Sequence, residues 1–446
     1  MFAQEGNRFL PYNTEPYFMT LTTDHWPLTT FPGLYVHVPF CLSKCHYCDF
    51  HSVTDCALIP AWLAALEQEA ALYQGRFGVF DTLYLGGGTP SLLTPGQLAS
   101  LLESLRRCFS FSPDTEVTLE ANPDDLTPEK LRLYRNLGIN RLSVGVQSFN
   151  DRELAFLGRR HNARQTRQAL DAAKAAGFAN LSLDLIYGLP GQGLEDWKKT
   201  LAQALAFHPE HLSCYQLTYE PGTPLGRKKA QGEVAAATEE EERAFFLFTS
   251  RFLEERDYLH YEISNFARLR EPGNRPNYQV IDNEESFNRR PKTEDRKPYY
   301  SRHSRKYWRH APYLGLGPGA HSFRDGERWW NVSSIQQYCQ SLGGGEAPVA
   351  GREILSPEQI RLEALYLGLR TREGVPLELL KPSPGWEKTL TELQKSALVE
   401  VRRERAVPTR QGFLLADGLP LFFMNEDLEE NMAVNGETSV LLAPDP

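Results

Sequence analysis

Short apolar runs alternate with amphipathic segments over more than half of the chain. Six runs have the length and the aliphatic content of buried strands, and each is followed by apolar positions spaced three and four residues apart, as in a helix. The predicted strands are 34–38, 82–85, 116–119, 141–146, 181–186 and 212–217, and the predicted helices are 59–73, 95–108, 128–137, 164–176, 194–207 and 238–256. Six βα units predict an α/β fold, a partial (βα)6 barrel of the TIM type.

The pattern changes after residue 266. Residues 267–302 are rich in charged residues, Asn and Pro, which predicts an exposed insertion. Helical periodicity returns at 356–368 and 386–398, with a hairpin-like stretch at 401–415, which predicts a small, mainly helical C-terminal domain. The predicted organisation is an N-terminal extension (1–32), the barrel (33–266), the insertion (267–302), a connecting region (303–348), the C-terminal domain (349–425) and a flexible tail (426–446).

Composition narrows the class of protein. A chain of 446 residues with 41% hydrophobic content can bury a large core in two or three domains. The net charge of -9 argues against nucleic acid as the main partner. Residues 1–30 lack the cationic start and apolar run of a secretory signal, and Met19 is an alternative start. The sequence lacks an apolar stretch of about 20 residues, so we expect membrane contact to be peripheral only.

Three cysteines in one short stretch carry the strongest chemical signal. Cys41, Cys45 and Cys48 form a CxxxCxxC pattern, which offers three thiolates where a cubane iron-sulfur cluster has four irons. One iron would therefore lack a protein ligand. Because electron-carrier clusters usually fill all four positions with cysteine, the spacing favours catalysis or ligand binding over simple electron transfer.

Two other interpretations of the cysteines stay open. A structural zinc site needs four ligands, and a nearby histidine would have to supply the fourth. The candidates are His37, His46 and His51. Disulfides are the weaker alternative because seven cysteines is an odd number. The remaining cysteines, which we interpret as ordinary structural residues, are Cys56, Cys108, Cys214 and Cys339.

Glycine and polar residues follow the predicted strands, at the end where barrel enzymes place their chemistry. The second strand ends in Gly86 to Pro90, whose missing side chains let backbone amides approach a ligand. Glu120 ends the third strand, and Gly145 to Phe149 end the fourth. The fifth contains Asp184, a carboxylate that needs a partner within an apolar strand. A buried salt bridge, for instance with Arg159, is the structural alternative to a ligand contact.

These segments together resemble the radical S-adenosylmethionine (SAM) family. The resemblance is carried by Tyr35-Val-His-Val-Pro-Phe-Cys41, the three cysteines, Gly86 to Pro90, Glu120-Ala-Asn-Pro, Gly145-Val-Gln-Ser-Phe and Asp184-Leu-Ile-Tyr-Gly-Leu-Pro. Within the family they are similar to the branch shared by the oxygen-independent coproporphyrinogen III oxidases and heme chaperones. The match runs from about Tyr35 to Phe323, with a similar appended domain beyond.

The resemblance implies two cofactors. The three cysteines would hold a [4Fe-4S] cluster whose open iron binds SAM, and reductive cleavage of SAM would give a 5'-deoxyadenosyl radical. The positions that match SAM contacts are Tyr35, Tyr47, Gly87, Gly88, Thr89, Glu120, Gln147, Arg159 and Asp184. Among them, the glycine-rich turn would face the methionine amino group, and Tyr47 would lie along the adenine. Such a cluster needs a reducing compartment, so we expect a cytoplasmic protein.

Two features favour the chaperones over the oxidases. The oxidase pattern continues as CxxxCxxCxC, whereas Phe50 stands at the last position here. The segment His303-Ser-Arg-Lys-Tyr307 resembles the HNRxY heme-binding motif of the chaperones, with Ser304 where they prefer Asn. The resemblance therefore implies heme contact by His303, Arg305 and Tyr307. An exposed basic loop with a chance histidine is the alternative.

The resulting hypothesis is a heme chaperone that carries a [4Fe-4S] cluster and SAM. It would deliver heme to respiratory proteins at the membrane, take electrons from a donor protein and form a dimer with heme. Two enzymes are the alternatives: a coproporphyrinogen III oxidase, and a radical SAM enzyme with another substrate. The insertion at 267–302 and the leader before Tyr35 are both longer than is usual in the chaperones.

Overall fold

A mixed sheet of twelve strands is the main feature of the computed structural model, which describes residues 31–270 and 296–424. The strands are β1 (Gly33–Val38), β2 (Phe80–Gly87), β3 (Phe111–Ala121), β4 (Arg141–Gln147), β5 (Leu181–Tyr187), β6 (His211–Gln216), β7 (Tyr258–Glu262), β8 (Asn265–Arg268), β9 (Tyr313–Leu316), β10 (His321–Arg324), β11 (Glu327–Asn331) and β12 (Val349–Ile354). Their order is β12-β11-β10-β9-β1-β2-β3-β4-β5-β6-β8-β7. The sheet is open, with β12 and β7 at its edges.

The central strands form a parallel barrel wall. Strands β1 to β6 pair in parallel in chain order, and β9 adds a seventh parallel strand on the other side of β1. The prediction of an α/β fold with a partial barrel is therefore confirmed, and all six predicted strands are present. Hairpin strands that pair in antiparallel fashion, which the sequence did not predict, extend the sheet at both sides.

Several helices begin directly after a capping residue that is visible in the sequence. Thr94, Asn162 and Thr238 each cap a helix with a reciprocal bond to a Gln or Glu three residues on, which satisfies amides at the helix start. The helices before the C-terminal domain are α1 (Ile59–Leu72), α2 (Pro95–Cys108), α3 (Pro128–Asn136), α4 (Asp151–Phe156), α5 (Ala163–Ala175), α6 (Leu194–Leu205), α7 (Pro224–Ala230), α8 (Glu239–Glu254), α9 (Ser304–Trp308) and α10 (Ile335–Gly343). All six predicted helices are confirmed, each within about two residues of its predicted bounds.

The C-terminal domain has a small core of its own. It comprises α11 (Pro357–Leu369), β13 (Val375–Pro376), α12 (Trp386–Lys395), β14 (Val399–Arg402), β15 (Arg405–Pro408) and α13 (Arg410–Phe413). Buried leucines of α11 and α12 pack against Phe423. Both predicted helices are confirmed, and the hairpin-like stretch is β14 and β15 followed by α13. The predicted tail and extension, and most of the insertion, lie outside the described residues.

One further property bears on membranes. Within residues 31–270 and 296–424, every helix is too short or too polar to cross a bilayer.

Candidate functional site

The inner side of the barrel wall is polar. One residue from each of β1 to β4 pairs in a row across the sheet, and these residues are Tyr35, Tyr84, Thr118 and Arg141. The next row towards the carboxyl ends contains Glu120, Ser143, Ser182 and His211. The residues of the row between them, such as Leu85, Leu119 and Leu142, belong to the hydrophobic core. A row of polar groups inside a barrel is unlike the aliphatic layers of a packed barrel interior, so this interior is suited to a polar ligand.

The cysteine loop follows the carboxyl end of β1. Its backbone is fixed at both ends, because the Cys41 amide donates to the carbonyl of Val53 at 3.0 Å and the His46 amide donates to the carbonyl of Leu157 at 3.0 Å. All three cysteines are partly exposed free thiols. Thr89 Oγ1 donates to Cys41 Sγ at 3.4 Å, and Arg159 Nη1 donates to Cys45 Sγ at 3.3 Å. The loop thus presents its sulfur atoms at the open end of the barrel.

The donor set of the loop is three thiols. A single zinc ion needs four ligands that converge on one point at about 2.3 Å, whereas each cysteine of a [4Fe-4S] site binds a different iron. Within residues 31–270 and 296–424, groups of three or more His, Cys, Asp or Glu side chains that could hold one metal ion are absent. His37, one candidate for a fourth zinc ligand, has both nitrogens engaged, with the Tyr35 hydroxyl at 3.0 Å and the His51 carbonyl at 2.9 Å. Three thiols fit a cluster with one open iron.

Arg159 connects the cysteine loop to neighbouring elements through its guanidinium group. It lies just after α4 and donates from Nη1 to the Tyr47 hydroxyl at 3.4 Å, and from Nη2 to the Gly145 carbonyl at 2.9 Å and to the Asn122 side chain. With its bond to Cys45, the guanidinium joins the cysteine loop to β4. Asp184 makes no direct ion pair with Arg159 among the described residues; it accepts from Ser143 Oγ at 3.3 Å, and burial raises its pKa whereas the charges of Arg141 and Arg159 both lower it.

The glycine-rich turn after β2 packs against the cysteine loop. Gly87 has a φ of 103°, which favours glycine, and a Cβ there would lie 2.4 Å from the His37 ring. A Cβ on Gly88 would lie 2.7 Å from the carbonyl oxygens of Val38 and Phe40. The Thr89 amide donates to the Phe40 carbonyl at 2.8 Å. The missing side chains at both positions thus allow the two loops to approach each other closely.

Glu120 lies at the inner side of this turn. Its Oε1 accepts from the Tyr84 hydroxyl at 2.7 Å, and its Oε2 accepts from the Gly87 amide at 3.0 Å. Burial raises the pKa of Glu120 to about 7, although the Tyr84 hydrogen bond lowers it. Burial likewise raises the pKa of Asp184 to about 6. Two carboxylates with raised pKa values in one barrel are typical of a ligand site.

Several buried polar atoms near these residues have no hydrogen-bond partner in the described part of the chain. They are Thr118 Oγ1, Arg141 Nε and Nη1, Gln147 Oε1 and Arg159 Nε. Gln147 has a φ of 63°, at a bulge between β4 and β5, so its backbone is strained. Buried polar groups normally have partners, so these atoms fit a polar ligand such as SAM.

The predicted heme residues lie elsewhere in the barrel. His303 is fully buried, with Nδ1 2.8 Å from Thr82 Oγ1 and Nε2 3.0 Å from the Tyr307 hydroxyl. Burial holds the pKa of His303 well below its usual value, so the imidazole is neutral. Both ring nitrogens are engaged, so a heme iron would have to displace one of these partners. Heme ligation by His303 stays a prediction.

The basic residues around His303 are paired with distant carboxylates. Arg305 bonds Glu373 of the C-terminal domain and lies 4.0 Å over the Tyr300 ring. Lys306 contacts Asp81 at 2.5 Å, at the start of β2. The alternative of an exposed basic loop with a chance histidine is therefore wrong, because this segment is buried and tied to the barrel.

The two groups of predicted residues are anchored at different positions of β2 but adjoin inside the barrel. His303 contacts Thr82 near the start of β2, and Glu120 contacts Gly87 at its end. The His303 ring lies 6.3 Å from the ring of Tyr35, which is itself one of the predicted SAM contacts. The structure thus brings the cysteines and most of the predicted SAM contacts together, and places the predicted heme residues next to them.

Some residues of the site were missed in the sequence. Tyr84, Asn122 and Ser143 contact Glu120, Arg159 and Asp184 respectively. The signal for Tyr84 and Ser143 was the alternation of polar and apolar residues along β2 and β4, which marks the inner side of each strand. Asn122 stands two residues after Glu120, within a motif that the sequence already singled out.

Comparisons with known proteins agree with this architecture. The model of the radical SAM superfamily matches residues 35–204, and that of the HemN C-terminal domain matches residues 355–415. Heme chaperone HemW of Mycobacterium tuberculosis is 35% identical over 394 residues, which cover 87% of this chain and 93% of that protein. Heme chaperone HemW of Bacillus subtilis is 32% identical over 403 residues, which cover 88% and 99%.

A solved structure is similar over nearly the same length. Coproporphyrinogen III oxidase (HemN) from Escherichia coli, described as a radical SAM enzyme, has a TM-score of 0.70 and 25% sequence identity, and the match covers 88% of this chain and 90% of that chain. The sequence identities to the two chaperones, 35% and 32%, are higher than the 25% identity to this oxidase, over a comparable share of the chain. This chain belongs to the HemW family within the radical SAM superfamily.

Proposed function

We propose that this protein is a heme chaperone that binds a [4Fe-4S] cluster, SAM and heme, and passes heme to acceptor proteins of the respiratory chain. The observation that carries the proposal is the 35% identity to a curated heme chaperone over 87% of the chain. Phe50 supports it, since the oxidase pattern has a cysteine at this position. Its side chain is 42% exposed beside the cysteine loop.

In this proposal Cys41, Cys45 and Cys48 hold the cluster. When bound, the cluster would supply an electron for the reduction of SAM. Arg159 donates to Cys45 Sγ and Thr89 donates to Cys41 Sγ, so both sulfur atoms are oriented by side-chain hydrogen bonds. The chain's part is therefore to keep the sulfur atoms in place.

The predicted SAM contacts fall into three parts of one site. Glu120 and the turn at Gly87, Gly88 and Thr89 would take the methionine amino group, for which a carboxylate and backbone carbonyls are suitable partners. Tyr47 would lie along the adenine. The remaining proposed contacts are Tyr35, Gln147, Arg159 and Asp184, of which Gln147 and Arg159 carry buried atoms without partners in the described residues.

Heme would bind at the segment that contains His303, Arg305 and Tyr307. A neutral imidazole is a suitable iron ligand, and arginine pairs with propionates. Iron at His303 Nε2 would take the place of the Tyr307 hydroxyl, and Arg305 would have to exchange Glu373 for a propionate. Heme binding at this segment thus requires Tyr307 and Arg305 to give up these side-chain contacts.

The partners belong to the same proposal. Acceptor proteins at the membrane would be met by peripheral contact, a donor protein would reduce the cluster, and heme would induce a dimer. An open cluster iron requires a reducing compartment, and we propose the cytoplasm.

Hemin titration tests the proposal. The cluster-loaded protein is expected to bind about one hemin per chain, and His303→Ala is expected to weaken binding at least about tenfold, since the iron loses its ligand. Visible absorption under anaerobic conditions measures both. His310→Ala is the matched control, because His310 is in the same segment but pairs with Glu363 at 2.8 Å. Wild-type protein that fails to bind hemin would refute the chaperone, and equal binding by His303→Ala would refute only the ligand.

The oxidase is the second candidate, and the structural similarity to HemN favours it. Anaerobic incubation of the cluster-loaded protein with coproporphyrinogen III, SAM and a reductant distinguishes the two. We expect no protoporphyrinogen-derived product by chromatography. Sustained turnover would make the protein an oxidase despite Phe50. Release of 5'-deoxyadenosine that depends on another substrate would instead point to the third candidate, a radical SAM enzyme with an unrelated reaction.

A further inference from the structure

Tyr84 touches both groups of predicted residues. It lies on the inner side of β2 and is 5% exposed. Its hydroxyl donates to Glu120 Oε1 at 2.7 Å, while the Gly87 amide donates to Glu120 Oε2 at 3.0 Å. Both oxygens of the carboxylate are therefore held by β2. A carboxylate held by two donors has a fixed direction, as a group that receives a methionine ammonium requires.

The position between Tyr84 and Glu120 is kept free of a side chain. A Cβ on Gly86 would lie 2.7 Å from Tyr84 Cε1 and 3.0 Å from Glu120 Cδ. Any other residue at 86 would push the phenol and the carboxylate apart. The contact between Tyr84 and Glu120 thus depends on the glycine next to them.

The ring of Tyr84 continues the contact towards the other end of the barrel. It stacks on the His303 ring, with the ring centroids 5.1 Å apart and an angle of 27° between the planes. His303 is fixed by Thr82 and Tyr307. Because close-packed interiors transmit displacements, a movement of His303 must be taken up by the phenol that lies against it.

We infer that Tyr84 is a positioning residue for SAM and that it couples the segment 303–307 to the SAM site. The inference rests on the proposed function, in which Glu120 contacts SAM. Tyr84 acts through Glu120 by fixing the direction and the charge of its carboxylate. By linkage, heme at the segment changes the affinity for SAM, and SAM changes the affinity for heme by the same factor.

The first test is SAM affinity without heme. Tyr84→Phe removes the hydroxyl and keeps the ring. In cluster-loaded protein it is expected to weaken SAM binding about 10- to 100-fold, because a hydrogen bond to a charged group is lost. Anaerobic equilibrium dialysis measures the affinity. Tyr73→Phe is the control, because Tyr73 is also a buried tyrosine but its hydroxyl accepts from Trp329 Nε1. Unchanged affinity in Tyr84→Phe would overturn the positioning role. Wild-type protein that does not bind SAM would refute the proposed function instead.

The second readout is the pH dependence of SAM binding. Besides Tyr84 and the Gly87 amide, the titratable and charged groups that face Glu120 are Asp184, Arg141, Tyr35 and Tyr307. All four are present in wild type and variant, so the comparison of the two proteins isolates the Tyr84 hydroxyl. SAM affinity should fall as the pH drops and Glu120 is protonated, and Tyr84→Phe should move the midpoint to higher pH. A variant that is merely less stable would keep the wild-type midpoint, and that result would count against the inference.

The coupling has its own test. His303→Ala is expected to weaken SAM binding although His303 is not one of the proposed SAM contacts. The double variant with Tyr84→Phe should lose less than the two single effects combined. All variants are compared by circular dichroism before titration. If His303→Ala binds SAM as wild type does, the coupling is wrong, whatever the outcome for Tyr84. If the effects of the two substitutions simply add, Tyr84 does not carry the coupling.

Discussion

Replacement of Cys45 by alanine is expected to abolish cluster binding. The cluster has four irons and only three cysteine ligands. With Cys45 replaced, two irons would lack a cysteine ligand, and the two remaining cysteines cannot retain the cluster. The substitution also removes the sulfur to which Arg159 Nη1 donates, and leaves a guanidinium in the site without that partner. Iron and sulfide content after anaerobic reconstitution, with the visible charge-transfer absorption, measures the loss. SAM binding through an open iron should be lost with it.

Cys339→Ala is the matched control for this experiment. Cys339 is also a partly buried free thiol, but it lies on α10 outside the cysteine loop. Its replacement should leave iron and sulfide content at the wild-type level. A Cys45→Ala protein that keeps the wild-type content would contradict the assignment of the three cysteines to a cluster.

The sequence was sufficient for the central strands because buried parallel strands are continuous apolar runs. The strand predicted at 181–186 is β5 at Leu181–Tyr187, and the helix predicted at 95–108 is α2 within the same bounds. Thr94 and Pro95 mark the start of α2 by local chemistry alone. Local signals of this kind need no information about distant residues.

The seventh parallel strand had no comparable signal. β9 is four residues long, and it becomes a barrel strand only because Tyr313 and Leu314 pair with Gly33 and Leu34 near the other end of the chain. The alternative of an exposed basic loop around His303 is wrong for the same reason. Basic residues suggest exposure, whereas the partners of Lys306 and Arg305, Asp81 and Glu373, are far away in sequence. Pairing between distant residues decides both cases, and one sequence does not contain it.

The importance of Glu69 is not evident from the sequence. Its replacement by alanine is expected to destabilise the protein strongly. It is fully buried on α1 and accepts from the Gly317 amide at 2.8 Å, Asn331 Nδ2 at 2.6 Å and the Tyr338 hydroxyl at 2.5 Å. These donors follow β9, end β11 and lie on α10. Removal of the carboxyl leaves the Gly317 amide and the Tyr338 hydroxyl without this partner, and leaves Asn331 Nδ2 with only the Gly317 carbonyl. We expect a cost of about 3–5 kcal/mol in the free energy of unfolding.

The cost of Glu69→Ala should depend on pH, and the pKa of Glu69 gives the direction of this dependence. Burial raises the pKa of Glu69 to about 7 from its usual 4.5, although its three donors lower it. The folded protein therefore binds a proton there more tightly than the unfolded chain, so this stabilisation is complete below about pH 4.5 and is lost as the pH rises through 7. The cost of Glu69→Ala should be largest at or below about pH 4.5 and shrink by about 1.4 kcal/mol per pH unit from there towards pH 7. Denaturant unfolding at several pH values measures it.

Glu67→Ala separates this effect from the loss of any glutamate of α1. The Glu67 side chain is 54% exposed and pairs with Arg107, so its removal should cost only about 0–1 kcal/mol and should not depend on pH in the same way. A cost for Glu69→Ala that grows towards neutral pH would mean that the buried group is stabilised as a carboxylate. In that case the three donors outweigh desolvation, and Glu69 is held by charge-assisted hydrogen bonds from neutral donors.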